Sequence, residues 1–515
     1  MTPGGANRAL RPLIATTAAL VLLAGCGKSG DDKPQAEQSP GTPEASASST
    51  PSGPGLASFE QPKAFAPVSA IAESSTGTSN LFAIEAGMVG PASLYALRSG
   101  LTGRTLTANS WQVPSSDVPT TTTSDFTAPM AVQLDGKEAI ATAYVQRVQG
   151  SGTQKPHGQV AFQWIDPAEG DILATAAFDL TPLVGPGNGG GRLISQAYDA
   201  ATGQVAVSLG VATQDGNAKL RDLTVFADPA TKKATGIPSL RVGGVLNGEV
   251  VGARGDQHES AKNSAIVQVD AVAGTVRKTT AVPAMNYLTP VGTGGKHGYF
   301  AGSGYQQDST SGRYLSSVFA ADIATGTVVD NKFPIAESRP EPTSCFSDHV
   351  SSVVCHRATA MREAQVVAGF DDTTGKKTWG YDSTSANRVV PLVTAVYNGL
   401  VYGSADDTAV VLDAKTGQDV SVPTPTTGAS PTDGSPTDGG STPPDSGTPS
   451  DGSSPAGTPT SGSGNLGGWG DLSLLHGKPK SPEMVSKYGS VYLQDAGSKA
   501  PLGTEKILVV QKAIG

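Results

Sequence analysis

The sequence is poor in cysteine, in aromatic residues and in charge. Of 515 residues three are cysteine, 5% are aromatic and 16% are charged. The six histidines (157, 258, 297, 349, 356 and 476) are dispersed, and none stands at close metal-ligand spacing to another. No Gly-x-Ser-x-Gly elbow, phosphate-binding loop or His-Glu-x-x-His site is present. The formal charge is −9, with the basic residues scattered, so nothing marks a footprint for nucleic acid or an anionic membrane surface. Low charge and few aromatics, set beside 64 glycines and 37 prolines, suit many short strands and turns rather than helices.

Long apolar runs are also missing. The most apolar stretch, Leu13 to Leu23 (LIATTAALVLL), is short of the roughly 18 residues that a membrane-spanning helix needs. Behind Arg8 and Arg11 it has the form of a signal-peptide core. It ends in Leu23-Ala24-Gly25-Cys26, which resembles the lipobox of bacterial lipoproteins. The resemblance implies cleavage before Cys26, whose thiol then carries lipid. The expected mature chain is tethered to the outer face of the plasma membrane by its lipid alone, at about 0.8 kcal/mol per buried CH₂. Losing residues 1–25 removes two arginines and no acid, so the mature chain is more acidic still.

With Cys26 assigned to lipid, Cys345 and Cys355 remain. The segment CFSDHVSSVVC reads as strand, turn, strand, and an exported pair favours a disulfide. The alternative is two buried free thiols. Two further stretches, residues 26–57 and 423–468, are built from Ser, Pro, Gly, Thr and acid. Neither can recover its ordering entropy by burial, so both are expected to be disordered. The first is a tether. The second is an insertion within a folded domain of residues 58–515, read as a tolerated loop rather than a glycosylated or wall-facing arm.

What the sequence has in quantity is a repeat: an apolar strand, then Asp-x-x-x-Gly, then a second short strand. It occurs at Asp166–Gly170, Asp270–Gly274, Asp322–Gly326, Asp371–Gly375 and Asp413–Gly417. The aspartate accepts hydrogen bonds from nearby backbone N–H groups, and the glycine takes the positive φ that returns the chain to the sheet. Ser99 and Gly103 occupy the two positions in a weaker first copy, and Asp228 and Lys232 in a third. Asp199–Gly203 is too close to Asp228 to begin a complete unit and is read as an inner hairpin. Each copy follows another strand, as in Pro391–Tyr402, and an eighth unit runs from Pro482 to the last residue, Gly515. Most of the units, ending near 103, 170, 232, 274, 326, 375, 417 and 515, have the spacing of roughly 40–50 residues typical of four-stranded propeller blades. The expected fold is all-β, an eight-bladed propeller of four-stranded antiparallel blades, with seven blades as the alternative count. The last unit lacks its final strand, which residues 58–67 are expected to supply.

The pattern resembles the PQQ-like repeat of bacterial β-propellers over nearly all of residues 60–515. Only Asp371-Asp-Thr-Thr-Gly375-Lys-Lys-Thr-Trp379 matches the fullest family form, whose tryptophan locks neighbouring blades. Elsewhere the tryptophan is missing, and blade docking is expected to rest on smaller apolar residues. The family's quinoprotein dehydrogenases carry adjacent cysteines over their cofactor. Cys345 and Cys355 stand ten positions apart, and no acid cluster suggests their calcium site, so the resemblance points to the non-catalytic branch, without cofactor or metal. Gly185-Pro-Gly187-Asn-Gly-Gly190 matches a dinucleotide-binding pattern but has no βαβ surroundings and is read as an inter-blade loop. His349 and His356 flank the cysteine hairpin and are read as a solvated loop pair, and the five repeat aspartates as structural. The expected function is a monomeric binding or scaffolding module for a protein or glycan at the cell surface. The alternatives are an enzyme assembled from blade loops around a central channel, and a sensor domain for a membrane partner.

Overall fold

A computed structural model of the chain describes residues 127–420 with short gaps. It also describes 481–486, 489–495, 506–513 and the strand residues 59–60, 70–73, 85–89, 93–98, 100–105 and 110–112. All of these lie in one compact unit, Gly53–Gly515. The expected signal peptide, Cys26, the tether and the 423–468 insertion lie outside the described residues.

The protein is all-β. Six sheets are four-stranded antiparallel meanders, consistent with propeller blades, and each is complete before the chain begins the next. The first runs through Glu85–Val89, Ser93–Arg98, Gly100–Thr105 and Ser110–Gln112. The second is Met130–Leu134, Lys137–Val148, His157–Ile165 and Ile172–Asp179, and the third is Gly191–Tyr198, Val205–Ala212, Leu220–Asp228 and Lys233–Pro238. Arg241–Leu246, Glu249–Arg254, Ala265–Asp270 and Thr275–Ala281 make the fourth. Tyr287–Thr293, His297–Gln307, Gly312–Asp322 and Val328–Lys332 make the fifth. The sixth is Thr343–Ser347, Ser352–Ala358, Ala364–Asp371 and Lys376–Asp382. A seventh sheet has three strands, Leu392–Tyr397, Leu400–Ala405 and Thr408–Asp413. Asp419 makes an isolated bridge back to Leu412 beside it.

The eighth sheet joins the two ends of the chain. Met484–Ser486, Gly489–Asp495 and Lys506–Ala513 form its meander, and Phe59–Glu60 and Ala70–Glu73 both pair with Lys506–Ala513. Phe59 stands opposite Ala513 and Ala70 opposite Val509. The expected closing segment, 58–67, is thus only part of the answer, because 70–73 covers the other half of the edge.

Composition explains the layering. A sheet packed on both faces needs apolar residues at successive positions, and Ala265–Asp270 (AIVQVD) is buried through its first five residues. The next strand, Thr275–Ala281 (TVRKTTA), is the outer edge of the same sheet and is almost wholly exposed. Polar, charged outer strands discourage edge pairing with other chains. The core is a series of apolar layers, one between each pair of consecutive sheets from the second to the eighth. First strands of the third to eighth sheets touch in succession, and the first sheet's touches the second's, so first strands are innermost.

Two details differ from expectation. Pro391–Tyr402 is a hairpin and not one strand, because Asn398 and Gly399 take φ of 47° and 78°, the pair of positive values a two-residue hairpin turn requires. Gly103 is not a turn residue. It lies within the third strand of its sheet, opposite Tyr95 of the second and Trp111 of the fourth, whereas the aspartate turns join third to fourth.

Candidate functional site

A four-stranded meander has two ends. One end carries the first-to-second and third-to-fourth turns, the other the second-to-third turns and the connections between sheets. All five Asp-x-x-x-Gly turns lie at the first end, and each is self-contained. Asp322 Oδ1 accepts from Thr325 N at 2.7 Å, and Gly326 N donates to Asp322 O at 2.8 Å with φ of 63°. Asp371 and Asp413 repeat this with Thr373 and Thr416, each 2.7 Å away, and with Gly375 and Gly417 in the left-handed region. Asp166 accepts from Ala168 N at 2.7 Å and Asp270 from Ala273 N at 2.9 Å, with Gly170 and Gly274 at positive φ. Lys232 stands in the glycine position of the third sheet and adopts φ of 55° all the same. The carboxylates serve separate turns. Among the described residues no three His, Cys, Asp or Glu side chains gather where they could hold a metal ion.

Docking between sheets also runs through these turns. Trp379 Nε1 donates to Ala414 O at 2.8 Å across the sixth and seventh sheets, and its ring lies against Gly417. Gly369, paired opposite Trp379, makes the space, since a Cβ there would meet the indole Nε1. Where the tryptophan of the family pattern is absent, small apolar residues fill the layers between sheets as expected, and two polar side chains add hydrogen bonds across them. Gln268 Nε2 donates to Ala324 O of the fifth sheet at 2.7 Å, and Asn331 Nδ2 donates to Gly375 O of the sixth at 2.8 Å. Trp164 reaches Gly203 O at 2.7 Å in the turn Asp199–Gly203, which joins the first two strands of the third sheet.

One acid next to a repeat position does more. Asp372 is buried and receives Tyr299 Oη at 3.0 Å and Lys296 N at 2.9 Å, both from the fifth sheet. His297 Nδ1, against the Asp372 carbonyl at 2.7 Å, carries the proton that a carbonyl acceptor requires. Burial opposes charge on His297, but the hydrogen bonds and negative charge of Asp372 outweigh it and hold the pKa above the ordinary value. Burial, and then the Asp372 charge, push the Tyr299 phenol well above its usual range. The cluster is a clamp between two sheets, closed to solvent.

The other end of the same pair of sheets is open. A cavity of about 570 Å³ lies between the fifth and sixth sheets, lined by Tyr287, Thr289, Ser303, Ser316, Thr343 and Arg357 together with small apolar residues. Register explains the lining. Tyr287 pairs with Ser303 and Ser303 with Ser316, so one cross-strand row of the fifth sheet carries three hydroxyls on one face. Thr343 pairs with Arg357 on the sixth sheet opposite. Arg357 is 3% exposed, and its Nη2 donates to Ser316 Oγ at 2.5 Å across the gap. The sequence reading passed over Arg357. Its one local signal is a lone cation closing a run that begins with the apolar Val353-Val-Cys355.

The remaining expected residues are spread through the fold. Cys345 and Cys355 are opposite each other in the first hairpin of the sixth sheet and form a disulfide, with Cα atoms 4.0 Å apart. His349 and His356 do not form a solvated pair. His349 sits in the turn with its ring 6.1 Å from that of Tyr397, whereas His356 is buried and stacked on Phe346 at 5.7 Å. The strand from Ser352 to His356 separates them by roughly 13 Å. Burial alone drives the His356 pKa down to about 4. Gly185 ends a single helical turn, Thr181–Val184, in the connection between the second and third sheets, and Gly187 and Gly190 lie outside the described residues.

No family model matches the chain, and no curated protein sequence matches it. Among solved structures it is similar to the β-propeller domain of the Trilobed protease from Pyrococcus furiosus, at 10% identity over 56% of this chain and 81% of that one, with a TM-score of 0.32. It is also similar to the quinohemoprotein alcohol dehydrogenase from Comamonas testosteroni, at 12% identity over 64% of this chain and 65% of that one, with a TM-score of 0.32. For hydrazine synthase from Kuenenia stuttgartiensis the identity is 13%, the coverage 50% and 73%, and the TM-score 0.27. These values carry neither an activity nor a substrate to this chain.

Proposed function

We propose that the eight sheets close as an eight-bladed propeller and that Cys26 carries it, by lipid, on the outer face of the plasma membrane. There it acts as a non-enzymatic binding module for a protein or glycan of the cell surface. The count of eight is supported by the eighth sheet, whose outer edge the N-terminal strands complete, and by the isolated bridge that Asp419 makes to the seventh.

The observation that carries the binding reading is the cavity between the fifth and sixth sheets. It is concave, and its described lining sets apolar residues and hydroxyls beside the buried Arg357, a composition suited to orienting a ligand. A photo-reactive residue at Thr289, which is exposed at this cavity, tests it in intact cells beside the same residue at Val276, on the outer strand of the fourth sheet. A specific adduct is expected from position 289 and none from 276. Equal labelling, or none at either position, overturns the assignment of the site. The anchor is tested by Cys26→Ser, which is expected to leave the detergent phase; unchanged partitioning overturns it.

A further inference from the structure

We infer that Asp135–Gly136 is a site of spontaneous backbone modification, where the aspartate converts to isoaspartate through a cyclic imide. The reaction is intramolecular and needs no reagent but water. The backbone N of Gly136 bonds to Asp135 Cγ while the C–OH bond of the carboxyl group breaks. The hydroxyl leaves as water with the proton of the Gly136 amide. Water then reopens the imide. Opening at the former main-chain carbonyl routes the backbone through Cβ and leaves the α-carboxyl group as the side chain. The atomic composition is unchanged, and the main chain is one carbon longer. Glycine is the least hindered nucleophile for the first step, because it carries no Cβ.

Among the described residues three first-to-second turns are an Asp or Asn followed by Gly. Asp135–Gly136 has φ of 51° and 74°, Asn247–Gly248 has 48° and 81°, and Asn398–Gly399 has 47° and 78°. The local backbone is the same, and the surroundings differ. Gly248 is buried, its N donates to Gln204 Oε1 at 2.7 Å, and its carbonyl accepts from Ala271 N at 2.8 Å. Asn247 N donates to Asp199 Oδ2 of the third sheet at 2.9 Å. Asn398–Gly399 is half-buried and held to the sixth sheet by Asn398 N, which donates to Asp348 O at 2.8 Å. Asp135 and Gly136 are both exposed, and a Cβ on Gly136 would meet nothing within 4 Å. Among the described residues no group of another sheet hydrogen-bonds to either of them.

These contacts decide which turn reacts. To attack, the glycine N must lose its proton and swing toward the Cγ beside it. At Gly248 the bond to Gln204 has to break first, and the turn has to leave its anchors on Asp199 and Ala271. Each such bond slows the attack by about tenfold. At Gly136 only the closing pair of the hairpin, Leu134 with Lys137, resists the movement. The sequence alone ranks the turns the other way, since an amide releases ammonia more readily than a carboxyl group releases water. The modified turn would also lie close to a grip between sheets. Gln133 N donates to Ala200 O of the third sheet at 2.7 Å, two residues before Asp135.

The test is peptide mass spectrometry of the detergent-solubilised full chain, aged in heavy-oxygen water both folded and unfolded in urea. Imide hydrolysis leaves one heavy oxygen in the affected peptide, and fragmentation separates isoaspartate from aspartate. Folding is expected to slow conversion at Asp135 by less than about tenfold and at Asn247 by at least about a hundredfold. Gln204→Ala is expected to speed Asn247 in the folded chain by about tenfold and to leave Asp135 unchanged. Asp135→Asn keeps a residue that tolerates positive φ and supplies ammonia as the leaving group, so conversion is expected to quicken by at least about tenfold. Equal protection of the two sites by folding overturns the inference. So does absence of isoaspartate at 135 in the folded chain over a time in which the unfolded chain converts, or an Asp135→Asn chain that reacts no faster. A rise at both sites in Gln204→Ala means general opening and overturns the protection assigned to Gln204.

Discussion

At the scale of single residues, the same side-chain position does different work from one repeat to the next. The residue two places before the turn aspartate faces the glycine turn of the following sheet. It is Trp164, Gln268 and Ala320 in three of the repeats; in a fourth it is Gly369, and Trp379 from the paired strand reaches the glycine turn in its place. The aspartates and glycines were legible in the sequence because a turn is decided within five residues. Arg357 was not legible, because its meaning depends on a hydroxyl row contributed some forty to seventy positions upstream. His356 was read as exposed for the same reason: nothing in its local sequence tells that Phe346 will stack on it. Its burial has a measurable consequence. The folded pKa of about 4 lies below the ordinary 6.5, so between those values the unfolded chain binds a proton that the folded chain refuses. Stability therefore falls as pH drops from about 6.5, by roughly 2 kcal/mol at pH 5. His297 acts in the opposite sense, since its raised pKa gives stability that is lost as pH rises through it. His356→Phe, measured by thermal melting between pH 7 and 5, is expected to flatten the acid limb and leave the alkaline limb unchanged. An acid limb as steep as that of the wild type refutes this role.

At the scale of strands and hairpins, the alternation of apolar runs with turn signals located most elements, and the cysteine hairpin was legible down to its opposed thiols. The missed feature was the way one sheet grips the next. Local sequence cannot reveal a hydrogen bond to a carbonyl in the following repeat, so the bonds that Gln268 and Asn331 add to the apolar packing are not foreseen. The Trp379 contact shows what such a bond contributes. Trp379→Phe keeps most of the ring against Gly417 but leaves Ala414 O without its donor. The expected loss is about 1–3 kcal/mol, the desolvation cost of an orphaned carbonyl. Trp379→Ala also removes the packing that fills the space over Gly369, for a total of roughly 3–5 kcal/mol. Urea denaturation of both variants checks the order. Equal losses would mean that the indole N–H bond alone matters and that the ring's apolar contact contributes nothing; no loss in Trp379→Phe would mean the reverse.

At the scale of the whole molecule, residues 59–73 and 484–513 meet in one sheet, and among the described strands this pairing has the longest sequence separation. Phe59–Glu60 and Ala70–Glu73 lie against successive parts of Lys506–Ala513, whose outer backbone groups would otherwise be an open edge. Open edges recruit strands from other molecules, and outer strands such as Thr275–Ala281, which is charged, and Ser110–Gln112, which is short, resist this. Among the described residues the outer edge of the eighth sheet is covered by the N-terminal segment and not by a strand of its own meander. Two truncations separate that role from tethering. A chain beginning at residue 53 keeps both closing strands, and its melting temperature is expected to equal that of the full mature protein. A chain beginning at residue 74 loses them, and it is expected to melt lower and to self-associate as concentration rises, read by light scattering across a dilution series. Appending residues 53–73 in trans, as a peptide, is expected to restore the monomer, because the strand pairing needs no covalent link. If the chain beginning at residue 74 stays monomeric and melts with the longer one, the N-terminal strands are decoration on an edge that Lys506–Ala513 already protects.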